Sequence, residues 1–311
     1  MNYKAEIIIK GHIFNPLWKS RMERRWRRGE VTRKAVFRVL EPYIGFIREL
    51  SPDGPMPEND TQNSPDAAQS AHKEEERIFS IWLQGEENAP EIVLACWASV
   101  RRNCPQRLVV LDEKSLGKMI SLPEHIIRKR SEGKICPAHF TDICRLALLA
   151  EYGGLWLDAT DYIPAPLPEK LWRTDFFVYT SGNNITGGYA GIQNCFIRSK
   201  KGHFLAKGWL ELIYEYWRRE DRPIDYFIHQ LLFMMFVENN GAASEMYGKM
   251  PKIDNDMAHD LWYGHKDEPY SPELWKEVTE KAMFQKTEYR SESAKSPIPG
   301  SIGWHLIKER M

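Results

Sequence analysis

Cysteine is scarce and poorly spaced for cross-linking. The five in this 311-residue chain, Cys96, Cys104, Cys136, Cys144 and Cys195, form no C-x-x-C pair and are odd in number. That argues against a disulfide framework or a zinc ribbon and points to reduced thiols in a cytoplasmic setting. Long apolar runs are missing too. The longest strongly apolar stretch, 231–237, is far too short to cross a bilayer, and residues 1–10 lack the apolar core of a secretory leader. Net charge is absent, because 43 Lys and Arg balance 43 Asp and Glu. No global field therefore draws the chain to nucleic acid. The sequence has no G-x-S-x-G, H-E-x-x-H or G-x-G-x-x-G. Gly241 and Gly248-Lys249 are separated by six residues where a phosphate loop needs four, and Met250 replaces Ser or Thr. Asp158-Ala159-Thr160-Asp161 lies too late, with the wrong spacing, for an aspartyl-phosphate phosphatase. Residues 51–76 contain no Ile, Leu, Val or aromatic side chain. Such a stretch cannot bury enough apolar area to offset chain entropy, so it predicts a disordered tether. It divides an N-terminal extension, 1–50, from one domain, 77–311.

The extension is basic. Nine Lys and Arg against two Glu lie between Trp18 and Arg38, and Val36, Phe37, Val39, Leu40, Tyr43, Ile44 and Ile47 follow with rough helical spacing. Three readings stay open for 18–50: a helix docked on the main domain, a partner-binding helix, or a peripheral anchor on an anionic membrane. From residue 77 the pattern turns α/β. Residues 78–83 read as a buried strand, 92–100 as a helix and 108–111 as a second strand. The stretch 113–134, charged and holding Pro123 and Gly133, reads as a mixed connector. Residues 176–179 and 193–199 read as further strands, 203–218 and 224–238 as helices, and the Gly- and Asn-rich 181–191 as a mobile loop.

The most informative stretch is 138–161. Ile143, Leu146, Ala147 and Ala150 fall at i, i+3, i+4 and i+7, one core-facing stripe of a helix. Asp142 and Arg145, three apart, share a neighbouring stripe. Gly153-Gly154 ends the helix, Leu155-Trp156-Leu157 forms a short apolar strand, and Asp158, Thr160 and Asp161 follow it. Ligands of open α/β sheets bind beyond the carboxyl ends of strands, so carboxylates placed there suggest a divalent metal with a phosphate-bearing ligand.

Thr141-Asp142-Ile143-Cys144-Arg145 and Gly153-Gly154-Leu155-Trp156-Leu157-Asp158-Ala159-Thr160 resemble the S-D-x-x-R and G-G-x-(Y/W)-x-D-x-(D/T) motifs of the capsular polysaccharide synthesis family. That family is related to glycosyltransferase family 32 and, distantly, to the glucosyltransferase domains of clostridial toxins. The resemblance extends from about residue 78 to the C-terminus. It implies a GT-A-type nucleotide-diphospho-sugar transferase fold, a single Rossmann-like domain with a mixed C-terminal lobe. It also implies a retaining, metal-dependent hexosyltransferase that moves sugar from a nucleotide-sugar donor, a UDP-sugar by preference, to a polysaccharide or other glycan acceptor. Under that resemblance Trp82 stacks on the nucleobase, Arg145 meets the diphosphate or donor sugar, and Asp142 accepts from ribose or sugar hydroxyls. Asp158 holds the ribose or a metal-bound water, Trp156 and Asn194 are substrate contacts, and Asp225 meets a sugar or caps a helix. The cofactor would be Mn²⁺ or Mg²⁺, with Asp158, Thr160, Asp161 and the C-terminal His305 as candidate ligands. The second acidic position of the family is occupied here by Thr160. His229 reads as a buried, hydrogen-bonded histidine, and Asp254-Asn255-Asp256 as a solvated loop. The competing reading is a catalytically degenerate protein of the same fold that only binds a sugar nucleotide or glycan.

Overall fold

The computed structural model describes residues 33–54, 77–182 and 189–308. Most of the basic segment, most of the expected tether and the centre of the Gly- and Asn-rich loop lie outside these residues.

The strands are β1 (Arg77–Ile81), β2 (Arg107–Leu111), β3 (Gly154–Leu157), β4 (Asp161–Tyr162), β5 (Phe176–Thr180), β6 (Ile192–Ser199) and β7 (Gln285–Lys286). Five form the central sheet in the order β2-β1-β3-β6-β5, while β4 and β7 pair separately. β1 runs parallel to β2 and β3; β6 is antiparallel to both β3 and β5. Four strands thus share one direction and only β6 is reversed. The carboxyl ends of β1, β2, β3 and β5 and the start of β6 all reach one edge.

Helices cover the sheet. Those of the N-terminal half are α1 (Arg33–Leu40), α2 (Ile44–Glu49), α3 (Glu91–Asn103), α4 (Glu113–Met119), α5 (Glu124–Ser131), α6 (Pro137–Tyr152) and α7 (Glu169–Trp172). The rest are α8 (Phe204–Arg219), α9 (Ile228–Asn239), α10 (Gly241–Lys249), α11 (Asp260–His265), α12 (Pro272–Thr279), α13 (Glu292–Lys295) and α14 (Ile302–Lys308). α6 lies against β1, β3 and β6 and packs on α8, which packs on α9. A second, smaller apolar cluster gathers Trp97 of α3, Trp262 of α11 and Leu306 of α14.

Residues 113–134, expected as a connector, hold two helices. Asp112 accepts from Ser115 N at 2.6 Å in a reciprocal capping box. Pro123 occupies the N-cap position of α5, its carbonyl accepting from Ile126 N at 2.9 Å, so this proline precedes a helix within the stretch expected to be a connector. α9 begins at Ile228, later than its apolar pattern suggested, because Asp225 turns the chain first. The two glycines before β3 are required by space as well as conformation. Gly153 (φ 67°) would place a Cβ 2.5 Å from Lys201 N, and Gly154 (φ 104°) one 2.4 Å from Arg77 O.

The described part of the N-terminal extension packs into the main core. Val36, Leu40, Tyr43 and Ile47 are buried, α1 and α2 lie on α9, and Asn240 donates to the carbonyls of Ile47 and Leu50, both at 2.9 Å. The apolar face of this segment is turned inward. No helix among the described residues is long and apolar enough to cross a membrane.

Candidate functional site

Parallel pairing of β1 with β3 sets Phe79 beside Trp156. The residues that follow these strands, Trp82 and Asp158, therefore emerge at the same edge. α6 feeds directly into β3, bringing Asp142 and Arg145 beneath that edge. Arg145 is only 5% exposed, and its guanidinium joins the parts. It contacts Asp142 Oδ1 at 2.8 Å and Asp158 Oδ1 at 3.1 Å, donates to the Asn194 carbonyl and lies 4.8 Å from the centre of the Trp156 ring. Trp156 Nε1 donates to the same Asp158 oxygen at 2.9 Å. Five residues named from the sequence, Asp142, Arg145, Trp156, Asp158 and Asn194, thus form one connected cluster. Both Nη atoms of Arg145 are committed to protein acceptors, so the guanidinium holds two carboxylates at fixed spacing.

Behind this cluster the bonding fixes a tautomer. Trp217 Nε1 can only donate, and it does so to His229 Nε2 at 3.1 Å. The proton of His229 therefore sits on Nδ1 and is donated to Asp142 Oδ2 at 3.1 Å. Burial pushes the imidazole down to about 4, so it is neutral at pH 7. Burial opposes the charge of Asp142 too, but Arg145 and the His229 bond hold its carboxyl below the usual range. Asn194 donates to Asp142 Oδ1 at 3.0 Å and accepts from Gln230 at 3.1 Å. Asp225 stands apart. It accepts from Phe227 N at 2.8 Å and from the Tyr189 hydroxyl at 3.2 Å, and burial raises it to about 6. It shapes the turn before α9 and ties down Tyr189, near the end of the Gly- and Asn-rich loop. Asn255, between the two aspartates of the second D-x-D, accepts from Gly182 N at 2.7 Å and serves as a structural cap.

Three residues not foreseen from the sequence complete the edge. Lys286 Nζ donates to Asp158 Oδ2 at 2.7 Å and to Asp161 Oδ1 at 3.0 Å. Tyr289 meets Trp82 edge-on, with ring centres 5.1 Å apart. The Arg290 guanidinium lies 5.2 Å from the centre of the Tyr289 ring. Trp82 is half-buried, and its Nε1 has no acceptor among the described residues. Tyr226, 38% exposed, is close enough to Asp142, Asp158 and Arg290 to feel their charges. These residues were missed because 285–290 carries no periodic pattern. A pairing of only two residues, Asp161 with Lys286 and Tyr162 with Gln285, brings the segment in.

The donor set does not suit a divalent cation as it stands. Asp158 Oδ1 serves Arg145 and Trp156, and its Oδ2 serves Lys286. Asp161 Oδ1 serves Lys286 and its Oδ2 accepts from Asp158 N at 3.1 Å. Burial and the adjacent Asp158 push Asp161 up to about 7, against the pull of Lys286. The carbonyl of Thr160 is taken by Thr287, at 2.8 Å from N and 3.0 Å from Oγ1. His305 stacks on Tyr270 with ring centres 3.9 Å apart, in the α14 region. Among the described residues no group of three or more His, Cys, Asp or Glu side chains is arranged to hold a metal.

A mostly parallel α/β sheet with charged and aromatic side chains beyond its carboxyl edge places the chain in the open-sheet α/β class, in which ligands bind at that edge. Residues 57–301 match the family described as capsular polysaccharide synthesis protein, and the chain belongs to that family. It is 25% identical over 176 residues to the O-glycosyltransferase braB of Annulohypoxylon truncatum, an alignment covering 51% of this chain and 41% of that protein. The chain thus spans less than half the length of this curated relative. Among solved structures it is similar to PaToxG glycosyltransferase, with a TM-score of 0.37, 14% identity and coverage of 87% of this chain and 95% of that one.

Proposed function

We propose that this protein is a glycosyltransferase that moves a hexose from a nucleotide-sugar donor, a UDP-sugar by preference, to a glycan acceptor with retention of configuration. The convergence of Trp82, Tyr289, Asp158, Lys286 and Arg145 at one strand edge is the observation that carries this reading. An aromatic pair offers a face for the base. The adjoining charged cluster offers donors for a diphosphate and acceptors for ribose or sugar hydroxyls. Family membership supports the same reading. Asp142, Asp158 and Asp161 each accept from two or more fixed donors. Carboxylates so engaged are poor nucleophiles, which favours same-face attack over a covalent glycosyl-enzyme.

A protein that binds a sugar nucleotide without turning it over is the second reading. Thr160 at the second acidic position and Lys286 on the acidic pair both favour it. The deciding experiment follows free nucleotide released from a panel of UDP-sugars. A transferase releases UDP slowly to water and faster with a glycan acceptor, and Asp158→Asn lowers the rate by about 100-fold. Saturable binding with no release for any donor would make the chain a binder.

A further inference from the structure

Lys286 is placed by backbone. In the β4–β7 ladder it stands directly across from Asp161, and both Thr287 bonds to the Thr160 carbonyl, at 2.8 and 3.0 Å, lock the next residue. Opposed residues of opposite charge in such a ladder are mutually stabilising. The ammonium therefore reaches Asp158 and Asp161 without a long, freely rotating approach. Its side chain is 16% exposed, so it is sheltered yet not sealed off. An ammonium has three N–H donors. Two are spent on the carboxylates, and no further protein acceptor is found among the described residues. The third remains for something that arrives at the strand edge.

We propose that Lys286 is the protein's own cation at this edge: it holds Asp158 and Asp161 where a divalent ion would otherwise sit, and offers its remaining N–H to a diphosphate oxygen of the donor. The inference rests on the nucleotide-sugar reading above for its ligand, although the placement of the cation does not. Asp142, Asp158 and Asp161 share one ammonium and one guanidinium, and every oxygen of Asp158 and Asp161 already accepts from a protein donor. A divalent ion added there would crowd Lys286 and Arg145 against a second positive centre, so binding it requires Lys286 to leave. Departing diphosphate charge is then met by a hydrogen-bond donor already in position, which requires no reorganisation when the bond breaks.

The test has two arms. In the first, the full-length wild-type protein, Lys286→Met and Lys286→Arg are titrated with Mn²⁺ and the free ion is followed by electron paramagnetic resonance. Wild type and Lys286→Arg are expected to take up none in stoichiometric amount. Lys286→Met leaves the acidic pair without its counter-ion and is expected to gain a Mn²⁺ site. A one-to-one gain that Asp158→Asn abolishes in the Lys286→Met background is specific to the acidic pair and separates it from misfolding, and a wild-type titration alone can refute the claim. Stoichiometric uptake by wild type that is lost in Asp158→Asn would overturn it. In the second arm, UDP affinity is measured by calorimetry before and after chelation with EDTA. Unchanged wild-type affinity and a loss of about tenfold in Lys286→Met support the proposal, whereas affinity that disappears with EDTA and returns with Mn²⁺ overturns it. If no UDP-sugar or nucleotide binds under any condition, the transferase reading fails, while the Mn²⁺ titration still decides what the acidic pair holds.

Discussion

Arg145 shows how one buried charge organises its surroundings. Its neighbours are two carboxylates, one backbone carbonyl and one indole face. Replacing it by Met strands Asp142 and Asp158 without their shared cation. Removing one partner of a buried ion pair costs about 3–5 kcal/mol, so Arg145→Met should lower unfolding stability by that order in urea titrations. A change under about 1 kcal/mol would mean the pair is effectively solvated. His229 gives a pH-dependent counterpart. Its folded value of about 4 lies below the unfolded 6.5, so between those values the unfolded chain binds a proton that the native state refuses. Stability should therefore rise with pH across that window, and the contribution is complete above pH 6.5 and lost as pH falls towards 4. The full effect is on the order of 3 kcal/mol. His229→Gln should flatten the wild-type slope between pH 4 and 6.5 in denaturation curves. An unaltered slope would show that the imidazole is not held neutral by its surroundings.

At the scale of elements, the β3 region was legible because several local signals agree there. The stripe of α6, the twin glycines and the apolar run all act within 23 residues, from Ala138 to Thr160. Asp142, Arg145 and Asp158 could be paired from that text because helix, turn and strand leave them little freedom. Lys286 could not be found this way. Nothing in Gln285-Lys286-Thr287 predicts a partner 125 residues earlier, and the two-residue β7 is created by tertiary packing rather than propensity. Tyr289 and Arg290 were hidden for the same reason. Helices α4 and α5 were hidden differently, since proline and charge at 113–134 resemble a connector until caps are considered. Gly154 offers the sharpest test of the turn. Its positive φ alone disfavours alanine by about 1–2 kcal/mol, and the Arg77 carbonyl that blocks a Cβ belongs to β1, one residue before its ladder with β3 begins. Gly154→Ala should therefore shift the urea midpoint by more than the conformational cost alone. A near-neutral change would show that the two strands can separate without penalty.

For the molecule as a whole, the N-terminal helices are part of the globular core. Tyr43 lies 5.8 Å from Tyr216, ring to ring, and the Arg219 guanidinium lies 4.9 Å from the centre of the Tyr43 ring. Deleting residues 1–54 would uncover the faces of α8 and α9 and leave Asn240 without two acceptors. Burial of four large side chains contributes several kcal/mol, so the truncated chain should melt about 10 °C lower or aggregate, as read by circular dichroism. An unchanged melting temperature would show the docking to be superficial. The strand edge carries the functional claim, and calorimetric titration of UDP-glucose tests it most directly. One-to-one binding by the wild-type chain is expected, with Trp82→Ala and Asp158→Asn each weakening it by about tenfold or more while their circular dichroism spectra stay native. Equal affinity in all three proteins would place the donor elsewhere and contradict the site.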